Sequence, residues 1–184
     1  MDIYDLLLAP FYLIFVFLLA YKYKAKHQHE HAAYNYFLPG LLVKIIGGIS
    51  LGLVYFYYYG GGDTVNYFNT GCAFVDLFNA NKSDFIHIYF GTPFPSEYYL
   101  LKGNTDFIYW MYDPYAFFVS KCFFIFIFLG AKSYVASVIL VAAVCYFPIW
   151  KYILCLLRRF QNYISNLRIQ FYLYHLLFFG AVEL

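Results

Sequence analysis

The sequence is short of charged residues. They make up 12% of its 184 residues, whereas a soluble domain carries about 25%. Hydrophobic residues make up 64% and aromatic residues 26%, with 23 tyrosines and 23 phenylalanines. A soluble fold of this composition would expose large apolar patches to water. The composition therefore excludes an ordinary soluble domain. It predicts an integral membrane protein, with the lipid bilayer as its partner.

Paired cysteines and basic arms are also missing. Cys72, Cys122, Cys145 and Cys155 occur singly, without CxxC spacing, so neither a zinc site nor a redox pair is indicated. The formal net charge is only +2, and no RNA-binding signature is present, so nucleic acid is not an expected partner. No repeat and no second domain is visible. We therefore treat residues 1–184 as a single membrane domain.

Long apolar runs are the main feature of the sequence. A membrane-spanning helix needs about 20 apolar residues. The runs predict an all-α, polytopic transmembrane protein with about four spans and an incomplete fifth, at residues 6–21, 37–59, 115–131, 134–157 and, in part, 171–184. Gly47, Gly48 and Gly52 lie in the second run and predict close contacts between helices, because small residues let backbones approach.

The distribution of charge predicts the orientation. Lys22, Lys24 and Lys26 directly follow the first apolar run, which indicates a cytoplasmic loop. Residues 60–113 carry six carboxylates and two lysines, a balance that suits an external loop. Four alternating spans would then place Arg158 and Arg159 outside, against the positive-inside tendency. The first helices usually dominate orientation, so we expect the N-terminus outside.

The polar segments carry two further predictions. Val65, Phe68, Cys72 and Val75 lie at near-helical spacing. They predict an amphipathic helix that begins at Asp63 and lies along the membrane surface, with a second short surface helix from residue 83. In the first polar loop, three histidines occupy alternate positions and would not share one face of a helix: His27, His29 and His31. We expect a solvated interfacial loop there and assign no metal ligands.

The candidate site lies in VYFYYYGGGDTVNYF, residues 54–68. Three glycines let the backbone turn tightly or approach a ligand, and they deliver Asp63 to the membrane surface. Its carboxylate could act as a general base, orient an acceptor, bind a divalent cation, or simply cap the helix. Lys121 could meet a lipid phosphate or extend its amine to the interface. Arg158 and Arg159 could bind the same phosphate.

The apolar helix, its aromatic exit, GGGDTVNYF and the following amphipathic helix resemble the first half of a bacterial GT-C-type membrane glycosyltransferase. GAKSYVASVILVAAVCYFPIWKYIL resembles the next helical pair. The resemblance covers about residues 35–160. It implies a catalytic acidic residue in the first external loop, here Asp63, a sugar donor on polyprenyl phosphate, and more helices than this chain supplies. The alternatives are a polysaccharide-polymerase relative and a small non-enzymatic accessory subunit with a membrane-protein partner.

The last segment, FYLYHLLFFGAVEL, is too short to complete a span. Permitted codons for residues 171–184 can be chosen so that a shifted frame reads LFIPSFVFWGSGI. That string resembles the continuation of large transferases of this kind. We therefore expect an N-terminal region truncated by a single-base shift and inactive alone. Sequencing the gene and its downstream DNA tests this expectation.

Overall fold

The computed structural model describes residues 3–91, 110 and 113–179. All regular elements in these ranges are helical: α1 (Ile3–His27), α2 (Phe37–Leu53), α3 (Asp63–Ala80), α4 (Lys82–Phe90), α5 (Pro114–Leu129) and α6 (Tyr134–Phe179). A 3-10 helix, Ala32–Tyr36, precedes α2, and a π-helix, Val54–Tyr58, follows it. The predicted all-α class is confirmed.

Three helical stretches within the described ranges are long and apolar enough to cross a membrane. They are Leu7–His27, Ala32–Tyr58 and Tyr134–Gln161, and they include most of the first, second and fourth predicted spans. The predicted span at residues 115–131 corresponds to α5, which has 16 residues and is shorter than an ordinary crossing helix. Four crossings therefore stay a prediction.

The predicted fifth segment does not form a helix of its own. Residues 171–179 continue α6, which runs unbroken through the polar stretch after Arg159. Residues 180–184 lie outside the described part of the chain, as do residues 92–109, 111 and 112 of the predicted external loop. The chain divides into two units, Met1–Val144 and Cys145–Leu184, while the single-domain interpretation stays a prediction.

Helix α2 packs against the first turns of α6 through glycines. A Cβ atom on Gly48 would lie 3.3 Å from Cγ1 of Val138, and one on Gly52 would lie 2.8 Å from the Tyr134 ring. Two of the three predicted glycine contacts are thus confirmed, whereas Gly47 faces open space. Because residue numbers fall along α2 as they rise along α6, the two helices run antiparallel.

A second packed region joins α3, α4 and α5. Its core consists of six buried apolar side chains: Ala73, Phe74, Leu77, Phe85, Ile88 and Phe117. Phe124 of α5 lies against them, with its ring centroid 4.9 Å from that of Phe85. Gly71 of α3 leaves no room for a Cβ beside Ile127 of α5. A helix begins at Asp63 and its apolar face is covered by protein, while its position along the membrane surface stays a prediction.

Candidate functional site

The three glycines form a turn that other residues would not adopt. Gly60, Gly61 and Gly62 have φ values of 65°, 144° and 129°, which side chains of L-residues disfavour. A Cβ atom on Gly62 would also lie 2.7 Å from Cδ1 of Tyr55. The predicted tight turn is therefore present. It connects the end of the second spanning stretch directly to α3.

Asp63 is the first residue of α3 and its side chain is exposed. Gly62 occupies the N-cap position, and no side chain caps the helix there. The carboxylate makes no hydrogen bond or ion pair with the part of the chain that the structure describes. The capping role considered from the sequence is therefore not realised. The carboxylate is open to solvent, so an acceptor or a cation can reach it.

An aromatic stack lies one helical turn beyond Asp63. The Tyr67 ring stacks on that of Trp110, with centroids 5.3 Å apart, and on that of Phe123 at 6.1 Å. Residues four apart share one face of a helix, so Tyr67 and Asp63 belong to the same side of α3. Sequence reasoning missed Tyr67 and Trp110, because only folding brings residues 43 positions apart into contact.

Lys121 joins two helices. Its Nζ donates a hydrogen bond to the carbonyl oxygen of Gly91 at 3.2 Å and lies 5.2 Å from the Phe117 ring centroid. The Tyr89 hydroxyl donates to the carbonyl oxygen of Lys121 at 3.0 Å. The lysine therefore connects the end of α4 to α5. An ammonium group has three donors, so this tie leaves donors for another acceptor.

Arg158 and Arg159 are exposed on α6 in the second unit, Cys145–Leu184. Asp63 and Lys121 belong to the first unit. The two arginines are adjacent in sequence, and Lys151 lies about two turns before them, with Nζ 5.7 Å from the Phe147 ring centroid. This part of α6 therefore ends in a basic segment.

The histidine loop is partly exposed: His29 is exposed, whereas His27 and His31 are half-buried and contact neighbouring residues. The His27 ring lies 4.3 Å from that of Tyr23 and 5.9 Å from that of Tyr34, which is 1% exposed. His31 caps the 3-10 helix through a hydrogen bond from the backbone N–H of Ala33 to Nδ1. Aromatic packing thus holds the loop between α1 and α2. Among the residues described, no group of three or more potential ligands could hold a metal ion.

Comparison with models of protein families, with curated proteins and with solved structures finds no match for this chain. The fold and the site together define the class. In the part of the chain that the structure describes, all regular elements are helical and three helices are long and apolar enough to span a membrane. The chain carries an exposed carboxylate where the second of them turns into α3.

Proposed function

We propose that the chain is the N-terminal region of a GT-C-like membrane glycosyltransferase, a multi-pass protein of the inner membrane with Asp63 as its general base. One observation carries the proposal. Asp63 is exposed and without an intramolecular partner among the described residues, directly after a glycine turn with unusual backbone angles. A carboxylate that neither caps nor pairs contributes little to the fold, which favours a role towards a ligand.

The proposed reaction transfers a sugar from polyprenyl phosphate to an acceptor hydroxyl. The hydroxyl oxygen attacks the anomeric carbon, the bond from that carbon to the phosphate oxygen breaks, and Asp63 takes the hydroxyl proton. Positioned bases of this kind contribute about 10²–10⁴-fold to rate. The exposed carboxylate is within reach of an acceptor that approaches from water.

The phosphate of the donor needs cationic partners. Lys121 keeps donors beyond its bond to Gly91, so it remains the candidate in the first unit. Arg158 and Arg159 can bind phosphate through bidentate hydrogen bonds. They can meet this phosphate only if they face the same side of the membrane as Asp63.

One observation favours a non-enzymatic accessory subunit as the second candidate. Apolar side chains are strongly exposed on the helices that are too short to span: Phe90 is 77% exposed, Tyr115 85% and Phe118 66%. Such a surface is typical of a contact with lipid or with another membrane protein. The accessory-subunit candidate therefore predicts a stable protein partner that covers α4 and α5.

The test compares Asp63→Asn with Asp113→Asn in membrane vesicles that contain radiolabelled polyprenyl-phosphate hexose. Asp113 caps α5 through hydrogen bonds from the backbone N–H groups of Tyr115 and Ala116, and Asn caps helices about as well as Asp. We expect Asp63→Asn to lower label transfer at least ~100-fold at unchanged protein level, and Asp113→Asn to retain it.

Equal transfer by the wild type and Asp63→Asn would remove the catalytic proposal. The accessory-subunit proposal takes its place if vesicles containing the wild type transfer no label and one membrane protein co-purifies with the chain in mild detergent.

A further inference from the structure

We propose that the chain crosses the membrane three times, through α1, α2 and α6, and that α5 does not cross. In this arrangement α3, α4 and the turn after α5 lie on the side of the N-terminus. Arg158 and Arg159 then lie on the opposite side, together with Lys22, Lys24 and Lys26. Contacts within the first unit and the length of α6 support this arrangement, and neither depends on the glycosyltransferase proposal.

The turn after α5 contacts the beginning of α1. The Ser133 hydroxyl donates a hydrogen bond to Oδ1 of Asp5 at 2.6 Å, and the Tyr12 hydroxyl donates to the carbonyl oxygen of Leu129. Asp5 comes just before the spanning stretch Leu7–His27. The end of α5 therefore lies beside the N-terminal end of the first crossing, far from the lysines that follow it.

The same turn contacts the end of α2. The Tyr134 ring lies 5.7 Å from the Phe56 ring in an edge-on arrangement and covers Gly52. Further along α6, Val138 and Ala142 lie beside Gly48. Helix α6 thus starts where the second crossing ends and runs back along it, towards the end where α2 begins.

Helix α3 stays at this end of the molecule. The ring centroid of Phe68 in α3 lies 5.1 Å from that of Tyr134. Two turns later, Asp76 forms an ion pair with Lys132, whose Nζ is 2.7 Å from Oδ1. Contacts eight residues apart on α3 therefore reach adjacent parts of one short turn. Both Phe68 and Asp76 thus lie beside the turn after α5, as expected for a helix that runs across the ends of the crossings.

These contacts conflict with four crossings. If α5 crossed from an external loop, the turn at residues 130–133 would lie beside the loop of Lys22, Lys24 and Lys26. It lies instead beside Asp5 and Phe56, at the other end of the first two crossings. In addition, 16 helical residues extend about 24 Å, less than the hydrocarbon thickness of about 30 Å.

Three crossings also remove the conflict with the positive-inside tendency. Tyr134–Gln161 is a stretch of spanning length, so a crossing that starts at Tyr134 ends near Arg158 and Arg159 on the other side. All five cations, these two and the lysines after α1, then flank crossings on the cytoplasmic side. Asp63 lies on the external side. The arginines consequently have no access to a phosphate that is bound beside Asp63.

Single cysteines test this arrangement in the full chain. The background has the four native cysteines replaced by serine. Lys24→Cys, Lys82→Cys, Ala131→Cys and Arg159→Cys are then labelled with an impermeant maleimide, first in intact spheroplasts and then after permeabilisation. We expect positions 82 and 131 to label in intact cells, and positions 24 and 159 only after permeabilisation.

The number of crossings follows from which cysteines are labelled under the same conditions. Position 131 labelling together with 82, and 159 together with 24, supports three crossings even if the absolute orientation is reversed. Position 131 labelling together with 24, or 159 together with 82, overturns the proposal. Lys132→Cys and Arg158→Cys replace any variant that fails to accumulate in the membrane, and labelling in detergent confirms that each cysteine is present.

Discussion

At the scale of single residues, Gly62 illustrates why the turn before Asp63 requires glycine. Its φ of 129° is rarely adopted by other residues, and the Tyr55 ring occupies the place where a Cβ would lie. Backbone and packing therefore impose the same requirement. Gly62 directly precedes Asp63 at the start of α3, so a substitution there tests the geometry of the turn.

We predict that Gly62→Ala lowers the free energy of unfolding by about 1–3 kcal/mol, because the new methyl group combines backbone strain with a clash against Tyr55. Gly47→Ala is the matched control. Gly47 is helical and faces open space, so alanine there is neutral or stabilising by up to about 1 kcal/mol. Thermal aggregation in detergent measures both variants. Equal midpoints would contradict the strained turn.

Cys72 is the second residue whose chemistry depends on its surroundings. Burial raises the pKa of its thiol from 9.0 to about 12, Lys132 partly offsets this effect, and Asp76 and Asp5 add to it. A raised pKa means that the neutral thiol persists at physiological pH. Because the thiolate is the reactive form, Cys72 is chemically inert in the folded protein.

We predict that Cys72 reacts with a water-soluble maleimide at least ~1,000-fold more slowly in the folded protein than in denaturant at pH 8, since three pKa units reduce the thiolate fraction by about that factor. The measurement uses a chain in which serine replaces the other three cysteines. The folded-state rate should rise about tenfold per pH unit between pH 7 and 9. Similar rates in the folded and denatured states would show that the site is not buried.

At the scale of elements, the contact between α3 and α5 depends on one small residue. Gly71 is buried and lies against Ile127, which is fully buried on α5. The sequence places Gly71 beside Cys72 on the predicted inner face of the helix, but it does not reveal which helix covers that face. The answer comes from contacts between residues more than 50 positions apart.

We predict that Gly71→Ala destabilises the protein by about 1–3 kcal/mol, because a methyl group overpacks the contact with Ile127. Ile127→Ala alone creates a cavity and costs about 2–5 kcal/mol. The double variant should therefore be more stable than the sum of the two single effects predicts. Unfolding of the four proteins in detergent provides the measurement, and strictly additive effects would show that the residues do not share this contact.

At the scale of the whole molecule, the number of crossings decides which residues can act together. With three crossings, Asp63 belongs to the external part of the chain, while Arg158 and Arg159 flank the cytoplasmic leaflet. With four crossings, all of these residues would be external. The labelling experiment at positions 24, 82, 131 and 159 therefore also decides which cations are available to the proposed sugar transfer.

The sequence by itself determined the class of protein, three apolar stretches of spanning length and the turn before Asp63. These features depend on local properties. The composition excludes a soluble domain, and the length of each apolar stretch determines whether it can span a membrane. Three consecutive glycines permit a turn with positive φ. The start of α3 at Asp63 was predictable for the same reason. Each of these features depends only on residues that are neighbours in the sequence, so each can be inferred without tertiary contacts.

Only the tertiary structure decided how these elements are used. Asp63 does not cap its helix, Lys121 bonds to Gly91 30 positions away, and Ser133 meets Asp5 across 128 positions. Hydropathy measures how readily a segment enters a bilayer, but it carries no information about which segment ends lie together. Contacts between residues far apart in the sequence supply that information, and they place the turn after α5 beside the beginning of α1.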